Sequence, residues 1–218
     1  MDARLYGVYE AGSRMFIEKG FKATQVGDIA KAAGIATGSM YKLFDSKLAC
    51  LHFCLMTAFA GGQVQETELP FHELSEGELM RGLIAWGEGY LDIYRGIASR
   101  MPFDEMVPAV YDGMARYRAA ICLVESCGDP LGEVAGEYWR RRQTLFELLE
   151  QELRAYMDCG QMRRIPYLRH LVYSFISMLA DWALHTYYDS NKEPIDEPTA
   201  RAIALDLTLH AFAAEEMQ

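Results

Sequence analysis

No Cys-x-x-Cys pair, no glycine-rich phosphate loop and no uninterrupted run of eighteen apolar residues occurs in this 218-residue chain. Strand-like alternation bounded by Asn-Gly or Asp-Gly turns is also missing. The first absences speak against a disulfide or zinc framework, a nucleotide-phosphate cradle and a membrane-spanning helix. The last speaks against a hairpin-built fold. Internal repeats and low-complexity stretches are lacking too. No defensible Ser-His-Asp arrangement or metal-ligand cluster appears, so an enzyme is the weakest reading. The five cysteines (Cys50, Cys54, Cys122, Cys127, Cys159) are odd in number. Met1 runs straight into "DARLYGVYEAG" without a basic start or apolar run, which predicts reduced thiols in a cytoplasmic protein.

Hydrophobic residues make up 51% of the chain and charged residues 24%, an ordinary globular balance. The net charge of −10 argues against a general polyanion binder. It is unevenly spread: residues 1–52 hold seven Lys/Arg against five Asp/Glu, and the rest holds fourteen against twenty-six. A slightly basic end joins an acidic body.

Periodicity predicts helices throughout. One spans residues 3–19, with Leu5, Val8, Tyr9, Met15 and Phe16 inward, and ends at Gly20. Thr24 reads as the cap of a short helix through Ile29 and Ala30 that Gly34 stops. A third helix runs from about Thr37 to Phe44, and "DSK" at 45–47 caps a fourth reaching Gly61-Gly62. "SEGE" at 75–78 matches a capping box for a helix to about Ala98. Residues 102–127 read as helical but broken early by Pro108. Asp129-Pro130 opens a helix to Cys159-Gly160, Pro166 another to Tyr188, and Pro198 the last, to about Ala214.

Two short helices around "GIAT" form a helix-turn-helix in which Gly34 allows the turn and Ile35 plugs the angle. The second, "TGSMYKLF", keeps Met40 and Phe44 inward. Gly38 and Ser39 permit close backbone approach to phosphate, and Tyr41 and Lys42 reach outward, as a helix in a major groove requires. A core role for Tyr41 is the alternative. The stretch "FIEKGFKATQVGDIAKAAGIATGSMYKLFDSK", residues 16–47, resembles the TetR family of bacterial transcriptional regulators. It carries that family's Phe, KGF, AT, DIA, AAG, G-S-x-Y, Phe and SK at fixed spacing, and the resemblance covers about residues 5–55. Ala36, Leu43 and Leu48 depart from the pattern, and Gly27 weakens the second helix.

The resemblance implies an all-α fold: a three-helix helix-turn-helix domain over 1–48 and a bundle of about six helices over 49–218 for dimerisation and ligand binding. It implies that Thr24, Gln25 and Lys47 meet phosphate and that Thr37, Gly38, Ser39, Tyr41 and Lys42 form the reading surface. The partners implied are a palindromic operator in double-stranded DNA, a second copy of the chain and a small-molecule effector, with no membrane, cofactor or metal. A repressor released by its effector is the leading reading. The alternative is a constitutive DNA-binding protein whose body binds a protein partner.

In the body, Tyr167, His170, Ser174, Ser177, Asp181, His185 and Tyr188 share one narrow arc of a helix otherwise apolar. That arc is either solvent-facing or lines a ligand chamber or interface. An apolar remainder of that width needs cover on two sides. Dimer-interface candidates are therefore Ile176, Ala180, Ala183, Leu184, Leu205, Leu209 and Phe212. Arg142 falls in the middle of an apolar stripe, where a cation must snorkel, pair, or await an anionic ligand. With Trp86, Tyr90, Tyr138, Phe175 and Met178 it forms the expected ligand-binding set, suited to an apolar or aromatic effector. Cys50-x-His52-x-Cys54 is expected to pack rather than chelate, because His52 points away from the two thiols.

Overall fold

Gly20, at φ 73° and ψ 168°, interrupts the helical backbone of α1 (Ala3–Ala23), and one more turn carries the chain to Thr24. Lacking a Cβ, glycine adopts that backbone without strain. The computed structural model describes residues 3–190 and 193–214. After α1 come α2 (Val26–Ala32), α3 (Thr37–Leu43), α4 (Lys47–Phe59) and α5 (Glu76–Tyr94), then a 3-10 turn at Ile97–Ser99. α6 (Phe103–Arg116), α7 (Arg118–Ser126), the short α8 (Gly128–Leu131) and α9 (Glu133–Asp158) follow. α10 (Leu168–Ala180) continues through a π-helical turn, Asp181–His185, into α11 (Thr186–Tyr188), and α12 (Glu197–Phe212) comes last. The fold is all-α: among the described residues the only extended pairings are two isolated bridges, Phe44–Phe71 and Met162–Ala213. Among those residues, no helix is long and apolar enough to cross a membrane.

Several helix ends are set by the predicted chemistry. Ser46 Oγ accepts the Ala49 N–H at the start of α4. Ser75 and Glu78 form the reciprocal capping box of α5, and Asp196 caps α12 through the Thr199 N–H. Others differ. α6 runs through Pro108 and stops at Arg116 instead. The bond Pro108 cannot donate would go to the carbonyl of Asp104, an exposed residue that water can serve. Gly132, at φ 52°, separates the Asp129-Pro130 turn from α9.

Two compact units emerge. The first comprises residues up to Trp86 together with Tyr117–Tyr138; the second comprises Gly87–Arg116 and residues from Trp139 onward. α4 lies within the first unit. There α1 packs against α2, α4 and α7 around Val8, Phe16, Ile29, Met40, Leu43, Leu51 and Leu55, all buried. In the second, α6, α10 and α12 pack together. Phe175 sits at the centre of that unit, 5.4 Å from Phe212 and 6.4 Å from Phe103, ring to ring.

Candidate nucleic-acid interface

The turn between α2 and α3 is a Schellman motif. The Ile35 N–H donates to the Ala30 carbonyl at 2.9 Å, and the Gly34 N–H to the Lys31 carbonyl at 3.2 Å. Gly34 is left-handed at φ 70°, which this motif requires. Ile35 is half-buried beneath the turn, as expected of the plug. α3 then buries Met40 and Leu43 and leaves Thr37, Gly38, Tyr41 and Lys42 exposed, with Ser39 intermediate. Tyr41 is 62% exposed, which removes the core reading for it. Nothing lies within 4 Å of where a Gly38 Cβ would be, so another surface has room to approach the backbone there.

Two of the expected phosphate contacts are turned inward. Thr24 is fully buried, and its hydroxyl lies within hydrogen-bond distance of the Met15 and Gly20 carbonyls, at 3.0 and 2.8 Å. It closes the end of α1; the N-cap position of α2 belongs to Gln25, which is exposed. Lys47 donates from Nζ to the carbonyls of Phe21 (2.8 Å) and Thr24 (3.0 Å) and stands 4.4 Å over the Phe21 ring. A cation there answers the bare carbonyls and the negative end of α1. At the start of α3, Ala36 holds the N-cap position, without a side-chain bond.

A segment that carries no periodic signal in the sequence fastens the exit of α3. The Phe71 N–H donates to the Leu43 carbonyl at 2.7 Å, and the Asp45 N–H to the Phe71 carbonyl at 3.2 Å. His72 meets the Asp45 carboxylate, and the Ser46 hydroxyl donates to Glu73 at 2.6 Å. The Leu74 N–H donates to His52 Nδ1 at 3.1 Å, and the Phe44, Phe53 and Phe71 rings cluster at 5.2–6.4 Å. His52 is 3% exposed, and its other ring nitrogen has no hydrogen-bond partner among the described residues. Burial holds its pKa below the usual imidazole value.

Residues 8–53, which span this reader, match the family described as "Bacterial regulatory proteins, tetR family". The repressor DhaR of Mycobacterium sp. (strain GP1) is 27% identical over 209 residues, covering 86% of this chain and 84% of its own. The helix-turn-helix segment is similar to that of the TetR family. The repressor KstR2 of Rhodococcus jostii (strain RHA1) is 26% identical over 118 residues, covering 53% of this chain and 46% of its own. The ketosteroid transcriptional regulator KstR2 of Mycobacterium tuberculosis shares the fold, with a TM-score of 0.60 at 18% identity over 99% of this chain and 97% of that one. TetR-family proteins are transcriptional regulators rather than enzymes; they bind DNA operators, usually as homodimers, and answer to small-molecule effectors.

The residues expected to bind an effector fall in both units. In the first, Trp86 stacks on Phe59 (5.2 Å) and Tyr138 (6.5 Å), and the Tyr138 hydroxyl donates to Glu125 at 2.7 Å. In the second, Tyr94 donates to Tyr90 at 2.9 Å between two buried rings, and burial pushes Tyr90 up to about 12. Arg142 is half-buried with its guanidinium over the rings of Trp139 (5.1 Å) and Phe146 (5.4 Å). Those ring faces answer the expected conflict on its helix. Phe175 is a core residue, fully buried between Phe103 and Phe212, not a lining residue; Met178 is half-buried.

The expected dimer face needs a similar correction. Ile176, Ala183, Leu184 and Phe212 are buried within their own chain, in the unit where α10 packs on α6 and α12. Ala180, Leu205 and Leu209 remain half-buried, and Leu207 is exposed. The polar arc from Tyr167 through His185 does face outward: Tyr167, His170, Ser174, Ser177, Asp181 and His185 are all exposed, while Tyr188 is half-buried. Among the described residues no three His, Cys, Asp or Glu are grouped as a metal site. Cys50 and Cys54 are buried and share a thiol hydrogen bond, which with burial raises the Cys50 pKa well above its usual value.

Proposed function

We propose that this chain is a repressor whose two copies bind a palindromic operator through α3 and are released by a small-molecule effector. Residues 1–48 read the DNA; residues 49–218 pair the protomers and take the effector. Gln25 meets phosphate at the start of α2, and Thr37, Gly38, Ser39, Tyr41 and Lys42 face the major groove. The observation that carries this reading is the outward presentation of Tyr41 and Lys42 by a seven-residue helix whose angle is set by left-handed Gly34. Two similar proteins named as repressors support the sign of control. Pairing through Ala180, Leu205, Leu207 and Leu209 places two readers on successive half-sites, which an inverted repeat mirrors. The ring stack at Trp86 and Tyr138 supports an effector with apolar or aromatic surface.

Selection from a random-sequence duplex pool by the purified protein tests this, with an inverted repeat as the expected product and a dimer as the bound species. Lys42→Gln should then weaken the selected duplex more than an unrelated one of equal length, as loss of a groove-reading side chain does. Failure to enrich any sequence overturns the reading.

A further inference from the structure

We propose that Phe71–Leu74 is a positioning device for the recognition helix, holding the exit of α3 against the start of α4 and the approach to α5. The inference rests on the DNA-reading role of α3. Phe71 pairs with both Leu43 and Asp45, the residues that close and follow α3. His72 takes the Asp45 side chain, and Glu73 takes the Ser46 hydroxyl proton. That last bond leaves a Ser46 lone pair aimed at the Ala49 N–H, so Glu73 also sets the α4 cap. Leu74 is tied to His52, six residues into α4, and the capping box of α5 begins at the next residue.

A seven-residue helix is too short to hold its own direction. Here the Schellman turn fixes its entrance and the Phe71–Leu74 segment fixes its exit, while Met40, Leu43 and Phe44 hold its inner face. His72 and Glu73 are exposed and belong to no core, and the side chains they meet at the exit of α3 are Asp45 and Ser46.

The test uses the full chain with His72→Ala and Glu73→Ala combined, the selected duplex, and an unrelated duplex of equal length. Two exposed pairs predict a loss of selected-duplex affinity of about fivefold. Binding to the unrelated duplex should stay unchanged, the melting temperature should fall by no more than about 4 °C, and Glu73→Gln with His72 intact, which still accepts from Ser46, should keep half or more of the affinity. Amide exchange at Asp45 and Phe71 should quicken in the double variant, with or without DNA. Equal weakening of both duplexes would make the segment merely structural and overturn the proposal; unaltered discrimination would overturn it as well. Should the wild-type chain select no duplex, the DNA reading fails with it, while unaltered exchange at Asp45 and Phe71 marks failure of the clamp itself.

Discussion

Lys47→Met separates a structural lysine from a phosphate-binding one. Methionine keeps most of the stem's packing against Phe21 and removes the ammonium. The carbonyls of Phe21 and Thr24 then lose donors at 2.8 and 3.0 Å, and the Phe21 ring loses a cation 4.4 Å away. Hydrogen bonds to a charged group contribute about 1.5–3 kcal/mol each, and a part-exposed cation–π contact about 0.5–1 kcal/mol. Lys47 is only half-buried, so the lower end applies and the net loss is about 2–4 kcal/mol. For a chain of this size that lowers the melting temperature by roughly 5–10 °C, measurable by circular dichroism. Affinity for the selected duplex, read well below the new melting temperature, should change little, and its salt dependence not at all. If the family resemblance instead gave the true role, melting would be unmoved and the slope of log K against log salt would shrink by about 0.9 per protomer. That outcome refutes the inward assignment of Lys47.

Gly34→Ala should cost about 1–2 kcal/mol from the left-handed backbone alone, because nothing lies within 4 Å of the new Cβ. Gly38→Ala, equally open but within α3, should stabilise by about 0.5–1 kcal/mol, so equal melting shifts for the two would contradict the turn geometry. His52 is buried with a lowered pKa, so the unfolded chain binds its proton more readily than the folded one. Its contribution is fully present above the unfolded value near 6.5 and fades as pH falls toward the lower folded value, at no more than about 1.4 kcal/mol per pH unit. His52→Asn, which can still accept the Leu74 N–H, should flatten that acid limb in urea titrations at pH 5–7; a limb of unchanged steepness assigns the protons elsewhere.

The reader is legible in the sequence because its determinants are local. A Schellman turn needs one glycine at one position, and a seven-residue amphipathic helix shows its two faces in its own period, so Gly34, Met40, Tyr41 and Lys42 sit where their spacing puts them. Thr24 and Lys47 defeat the same reasoning for the converse reason. A hydroxyl or ammonium at a helix end serves whichever carbonyls or phosphates lie nearest, and the carbonyls of Met15, Gly20 and Phe21 are nearer. The Phe71–Leu74 segment leaves no trace because a two-residue bridge has no period. On α10 the polar arc is legible, since exposure alone makes it. The identity of what covers the apolar remainder is not in the pattern: Phe175, expected to line an effector site, lies instead against Phe103 and Phe212 of the same chain.

The electrostatics then bear on the proposal that two copies bind together. Lys19 lies 3.9 Å from Asp28, Lys22 pairs with Asp129 at 2.9 Å, and Lys47 is committed to the end of α1. Lys31 and Lys42 keep exposed positions on the helix-turn-helix, so each protomer brings few charges to a phosphate backbone. Counterion release from so few contacts gives weak, strongly screened binding, and the acidic remainder of the chain adds to the repulsion. Duplicating the reader roughly doubles the favourable term and demands a fixed distance between the two α3 helices. Occupancy is then decided by whatever sets that distance. Under the proposed function an effector would need only to favour another spacing to release the DNA, without touching a single residue that reads it.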